Sequence, residues 1–205
     1  MSKPLLFLFG AFSVFVVALL GGLLLFRGAR GFSTREQPSA AERWISSWMR
    51  AATLPAEAKA RTNPVPNTPE VLADASAHWA DHCATCHAND GSGDTQMGKN
   101  LYPPAPDMRQ SATRQKTDGE LFYIIQNGVR LTGMPAWGGS AHAEEDSWKL
   151  VRFIRHLPQL TFEEKKAMEK LNPKGPDDRK EEEEEEKFLR GEDSHEPTPE
   201  HHHHH

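Results

Sequence analysis

Residues 4–26 (PLLFLFGAFSVFVVALLGGLLLF) carry no charge, and this run dictates its own structure. In hydrocarbon every backbone polar group must be bonded within the segment, so a single such stretch has to be a helix. At about 1.5 Å per residue it is long enough for a bilayer core of about 30 Å. It exceeds the apolar region of a usual signal peptide, which favours an uncleaved anchor over cleavage near Pro38-Ser39-Ala40. The run also uses up much of the apolar material. Only 37% of the 205 residues are hydrophobic, so the rest of the chain is poor in core-forming side chains. A small domain of that kind is marginal by itself, and a bound cofactor with apolar surface would help it fold.

The remaining chain divides by composition. Residues 39–67 read as a juxtamembrane amphipathic helix and a linker. Ser39-Ala40-Ala41-Glu42 fits a capping box, and Trp44, Ile45, Trp48 and Met49 share one helical face. That face suits either the membrane interface, where Trp is favoured, or packing on a globular domain. Residues 53–67, with three prolines, read as connector. The globular part is expected over 68–158. Thr68 caps a helix with Pro69 at its first position, and Thr117-Asp118-Gly119-Glu120 opens a second. A last helix is expected over about 144–157. No strand-length alternation appears, so the fold class is all-α. Residues 88–116 read as a long loop, which needs something to pack against. Residues 159–205 form a charged tail, largely disordered apart from a short helix opened by Thr161-Phe162-Glu163-Glu164. The tail contains Glu181–Glu186 and ends in His201–His205, an expression tag or a native metal-binding tract. The net charge of -5 belongs to this tail: residues 161–200 carry -7 and residues 1–160 carry +2. No basic stripe for nucleic acid exists.

The chain has two cysteines, Cys83 and Cys86, followed at once by His87. Cys83-Ala84-Thr85-Cys86-His87 is the c-type haem attachment pattern. Two thiols three residues apart on a helical turn reach the two vinyl groups on one porphyrin edge and become thioethers. His87, next to the second thioether, is then held beneath the iron. A redox C-x-x-C requires a βαβ setting, and no strands are expected. A structural zinc site needs four ligands in a tetrahedron, and His82, Cys83, Cys86 and His87 are too crowded for one. Since c-type attachment takes place outside the cytoplasm, the domain is expected on the periplasmic or extracytoplasmic side. Arg27, Arg30 and Arg35 after the span, against Lys3 before it, would by themselves argue the opposite orientation.

For the second axial ligand the residues leave Met97, Met108, Met134, His78, His82 and His142. Met134 is the best placed locally. It lies in Gly133-Met134-Pro135-Ala136-Trp137 between two helices, with Gly133 removing bulk and Pro135 fixing φ. A thioether there would favour ferrous iron and raise the potential. A methionine in that position could equally fill a core gap.

Taken together, C83-A-T-C-H87, Asn89-Asp90-Gly91-Ser92-Gly93, Tyr102-Pro103-Pro104-Ala105-Pro106-Asp107, Thr117-Asp118-Gly119-Glu120-Leu121, Gly133-Met134-Pro135-Ala136-Trp137 and Trp148–Arg155 resemble class I monohaem cytochromes c. The resemblance covers about 69–158 and is nearest to membrane-bound cytochrome c subunits of haem–copper oxidases and alcohol dehydrogenases. It implies a small cytochrome c-like domain around one covalent haem c, with His87 and Met134 as iron ligands. It implies first and last helices crossing near Trp79 and Phe153, and a carbonyl within Pro103–Pro106 accepting from His87 Nδ1. Arg130 and Trp137 become candidates for propionate contacts. With both axial positions filled, the implied role is an electron carrier rather than an enzyme. Redox proteins and the membrane are its expected partners, and no small-molecule substrate is expected. A subunit fixed in a larger oxidoreductase is the alternative; a ligand sensor or peroxidase would need an open iron position.

Overall fold

The structure, a computed structural model, describes residues 3–28 and 33–191. Among them there is no strand. Helix α1 (Lys3–Gly28) stands apart, with none of its apolar window buried and a mean hydropathy of 2.5 over Lys3–Leu24. It is long and apolar enough to cross a bilayer. Helix α2 (Ala40–Thr53) begins at the Ser39 capping box, in which Ser39 and Glu42 bond each other's backbone N–H groups. No α2 residue is buried.

The segment expected to be a loose connector is folded onto the domain. Helix α3 (Ala56–Ala60) buries Ala58. Asn63 Nδ2 donates to the Trp148 carbonyl at 2.9 Å, and Arg152 donates from Nε to the Val65 carbonyl at 2.8 Å. Thr117 Oγ1 donates to the Lys59 carbonyl at 3.0 Å. The Arg61 guanidinium lies 4.3 Å from the Phe122 ring centre and 2.5 Å from Glu144. The prolines that suggest a linker here set an extended strap, which backbone and side-chain bonds then fix.

Helix α4 (Pro69–His78) starts at Thr68, whose hydroxyl accepts from Val71 N–H. Next come a π turn (Trp79–Cys83) and α5 (Ala84–His87). Short helices α6 (Gln96–Asn100) and α7 (Ser111–Arg114) break up the expected long loop. Helix α8 (Asp118–Asn127) has the predicted Thr117–Glu120 capping box and ends at Gly128, φ 64°. Helix α9 (Ala141–His156) starts earlier than the apolar pattern suggests, because Ser140 caps it.

Helix α9 is the centre of the domain and packs against α4 and α8. Trp79 and Phe153 meet with ring centres 5.3 Å apart, the expected crossing, and Phe122 stacks on Trp148 at 4.0 Å. Val151, Leu121, Ile125 and Leu157 belong to the same buried cluster.

The tail also departs from its reading as largely disordered. Helix α10 (Phe162–Glu169) starts at the Thr161 capping box and inserts Met168, 2% exposed, into the core. In the amide orientation that matches donors to acceptors, Asn172 Nδ2 donates to Asn89 Oδ1 (2.9 Å) and to the Ala80 carbonyl (3.2 Å), and Asn172 Oδ1 accepts from Asn89 (3.1 Å). Helix α11 (Pro176–Leu189) contains the run Glu181–Glu186. The tract His201–His205 lies outside the described residues.

Candidate haem site

The attachment motif sits where α4 changes pitch. In the π turn the N–H of Ala84 reaches the Trp79 carbonyl, five residues back. Such single wide turns occur at functional sites. The extra residue brings Ala84 and His87 onto the buried side together with Trp79 and Ala80. Cys83 ends the turn and Cys86 lies on α5, both as free thiols. Burial, reinforced by the neighbouring Cys86, pushes the Cys83 thiol up to about 12; burial also raises Cys86. Neither is a thiolate at neutral pH, unlike the reactive or metal-binding cysteine.

His87 is 9% exposed, and its ring centre lies 5.8 Å from that of Trp79. Burial lowers its pKa to about 4 and keeps the imidazole neutral, the form that binds iron. Its Nδ1 is buried without a hydrogen-bond partner. The bond expected from this nitrogen to a carbonyl in Pro103–Pro106 is not made. The carbonyls of Ala105 and Pro106 instead lie against Gly93, 2.5 and 3.3 Å from where a Cβ would stand. Just past the histidine, Ala88 adopts φ 60°, ψ 162° and accepts the Trp79 indole N–H at 2.9 Å.

The polar loop after the motif folds back onto it. Gly93 N–H donates to the His87 carbonyl at 2.9 Å, and Thr95 Oγ1 to the Thr85 carbonyl at 2.8 Å. Arg109 clasps Asp107 at 2.9 Å and Asp90 at 3.1 Å.

Met134 is half-buried in a tightly bonded loop. Val129 N–H donates to the Met134 carbonyl at 3.1 Å, Met134 N–H to Thr132 Oγ1 at 3.1 Å, and Trp137 N–H to the Ile125 carbonyl at 3.1 Å. Two contacts hold the loop over the motif's surroundings. Gly133 abuts Leu101: a Cβ there would lie 2.5 Å from Leu101 Cδ2. Trp137 meets His82, the residue before Cys83, edge-on at 5.7 Å.

The other candidate ligands are placed differently. Met97 is 52% exposed on α6, and Met108 packs against the core. His78 stacks on His82 at 4.7 Å, and His142 faces Asp146 at 3.3 Å on α9. Arg130 is exposed. Among the described residues no three His, Cys, Asp or Glu side chains gather as a metal site, so zinc gains no support. Sequence reasoning missed the contacts of Leu101 and Ala88, which carry no motif, and the pairing of Asn89 with the distant Asn172.

Residues 70–154 match the family model described as cytochrome c oxidase, cbb3-type, subunit III. This segment is a cytochrome c domain. No curated protein matches the chain. The match starts in α4 and ends in α9, spanning both the attachment motif and the Met134 loop; the strap and α10 lie outside it. A cytochrome c domain binds haem and transfers electrons. The residues fit that group: two protonated thiols directly precede a buried, neutral imidazole.

Proposed function

We propose that the chain is a membrane-anchored electron carrier with one covalent haem c, passing single electrons between respiratory partners. Cys83 and Cys86 would hold the haem covalently, and His87 and Met134 would hold its iron. Helix α1 crosses the cytoplasmic membrane once, and the cytochrome domain lies on the periplasmic or extracytoplasmic side. The folding unit we assign to the domain runs from the strap at Ala56 through Asn172.

The buried, neutral His87 directly after two free thiols carries this reading. A haem held there supplies a one-electron iron couple. The thiols tether it, and the imidazole, pinned by the bonds of Gly93 and Trp79 around its turn, offers one nitrogen in a fixed direction. The closed loop presents a thioether with little freedom to move. Two fixed ligands let the redox state change without rearrangement, which suits transfer and leaves no position for a substrate.

The test is a pyridine haemochrome assay on protein matured in an exporting host, with acid-acetone extraction beside it. Pigment that stays with the polypeptide and a sharp low-spin spectrum on reduction support the assignment. Extractable pigment, or rapid carbon monoxide binding by the reduced wild type, would overturn it.

The strap favours a second reading, a haem subunit fixed inside an oxidase or dehydrogenase complex. A head bonded to its connector through Asn63, Val65 and Lys59 suits a stationary relay better than a swinging shuttle. Co-purification with a catalytic subunit in mild detergent separates the two.

A further inference from the structure

Helix α2 presents an apolar face that none of the described residues covers. Trp44, Ile45, Trp48 and Met49 are 68, 48, 61 and 53% exposed. They share one side at the 3.6-residue period, with Ala41 and Ala52 between them, while Arg43, Ser46 and Arg50 fall on the opposite side. The domain touches α2 at the edge of this stripe. Glu42, which already caps the helix through Ser39 N–H (2.6 Å), also accepts the Tyr102 hydroxyl at 2.9 Å, and Lys59 Nζ reaches the Ala51 carbonyl at 3.4 Å.

We infer that α2 lies in the interface of the same bilayer that α1 spans, with its Trp-bearing stripe in the headgroup–acyl boundary. This rests on the anchor reading of α1. Three observations choose lipid as the occupant. Eleven residues separate Gly28 from Ala40, at most about 40 Å even fully extended, so α2 starts close to the surface. Its make-up, bulky aromatic and aliphatic side chains on one face and arginine on the other, is that of an interfacial helix. The domain contacts leave the stripe free, so α2 can be immersed while Glu42 keeps its bond to Tyr102. Tyr102 adjoins Leu101, which stands against Gly133, so the immersed helix also sets the height of the Met134 loop above the bilayer.

The test uses the haem-loaded full chain in liposomes, with and without lipids brominated near the headgroup. Helix α1 contains no Trp, so quenching reports on α2 rather than on the span. The expected result is a chain that floats with liposomes through salt and carbonate washes and loses tryptophan emission in brominated lipid. That loss should disappear in the Trp44→Phe/Trp48→Phe double variant, with the haem spectrum unchanged. A floating chain with equal emission in both lipids overturns the interfacial placement alone. Quenching that persists in the double variant assigns the contact to Trp79, Trp137 or Trp148, and also overturns it. A chain that fails to float overturns the anchor and this inference together.

Discussion

Trp79 donates its indole N–H to the carbonyl of Ala88 at 2.9 Å, locking the turn that follows His87 to the π turn that precedes it. The residue so held is strained, because φ 60°, ψ 162° is a region that glycine alone occupies readily. Ala88→Gly should relieve about 1–3 kcal/mol of strain against about 0.5–1 kcal/mol of added chain entropy. The expected outcome is a higher denaturant midpoint with unchanged slope. A lower midpoint would show that Ala88 carries no strain.

The closest approach of the strap is at Gly119, where a Cβ would run into the Ala58 carbonyl oxygen and stand 2.8 Å from that of Arg61. No rotamer change relieves a clash with backbone. Gly119→Ala should therefore displace residues 56–61 and destabilise the domain by about 1–3 kcal/mol, the usual cost of overpacking. Limited proteolysis should then cut within 53–67 faster than in wild type, and equal cutting rates would sink the idea.

If Met134 is the distal ligand, Met134→His should keep a six-coordinate, low-spin spectrum and lower the midpoint potential, since thioether ligation raises it. Met134→Ala should bind carbon monoxide quickly when reduced. An unchanged potential in the histidine variant would move the assignment to another residue, with Met97 and Met108 the next to test.

Acid stability should depend on Asp107. The Arg109 guanidinium bonded to it holds its carboxyl well below the usual range, helped by Gln110 and by the Arg109 N–H and opposed by burial. A carboxyl with a lowered folded pKa binds fewer protons folded than unfolded. Its contribution is therefore present above the unfolded pKa of about 3.9 and is lost as the pH falls below that value. Asp107→Asn should lower the melting temperature at pH 7 and narrow its gap from wild type below about pH 4. A gap independent of pH would dismiss this ion pair as a source of acid sensitivity.

The features that were legible in the sequence are the local ones. Ser39, Thr117 and Thr161 announce their helices because each capping bond closes within three residues. The Cys83–His87 spacing works in the same way. Residues 53–67 read as a connector because the bonds that fix them come from Trp148, Arg152 and Thr117, more than fifty positions away. Met168 escaped for the same reason: within FEEKKAME nothing separates it from the exposed Phe162 as the residue to bury, and only the folded domain has a hole for it. The π turn shifts the helical period by one residue, which a pattern based on 3.6 cannot register. The expected bond from His87 Nδ1 to a carbonyl in Pro103–Pro106 depended on loop geometry, and in the fold the Ala105 and Pro106 carbonyls lie against Gly93.

The grip on residues 58–65 decides how donor and acceptor come together. A cytochrome on a slack leash sweeps through a volume and visits its partners in turn. Here residues 58–65 are fixed to the body, so a haem bound there would keep one bearing relative to that strap. On the anchor reading of α1, encounters would then follow two-dimensional drift within the sheet of lipid, and their rate would answer to protein density there rather than to arm length.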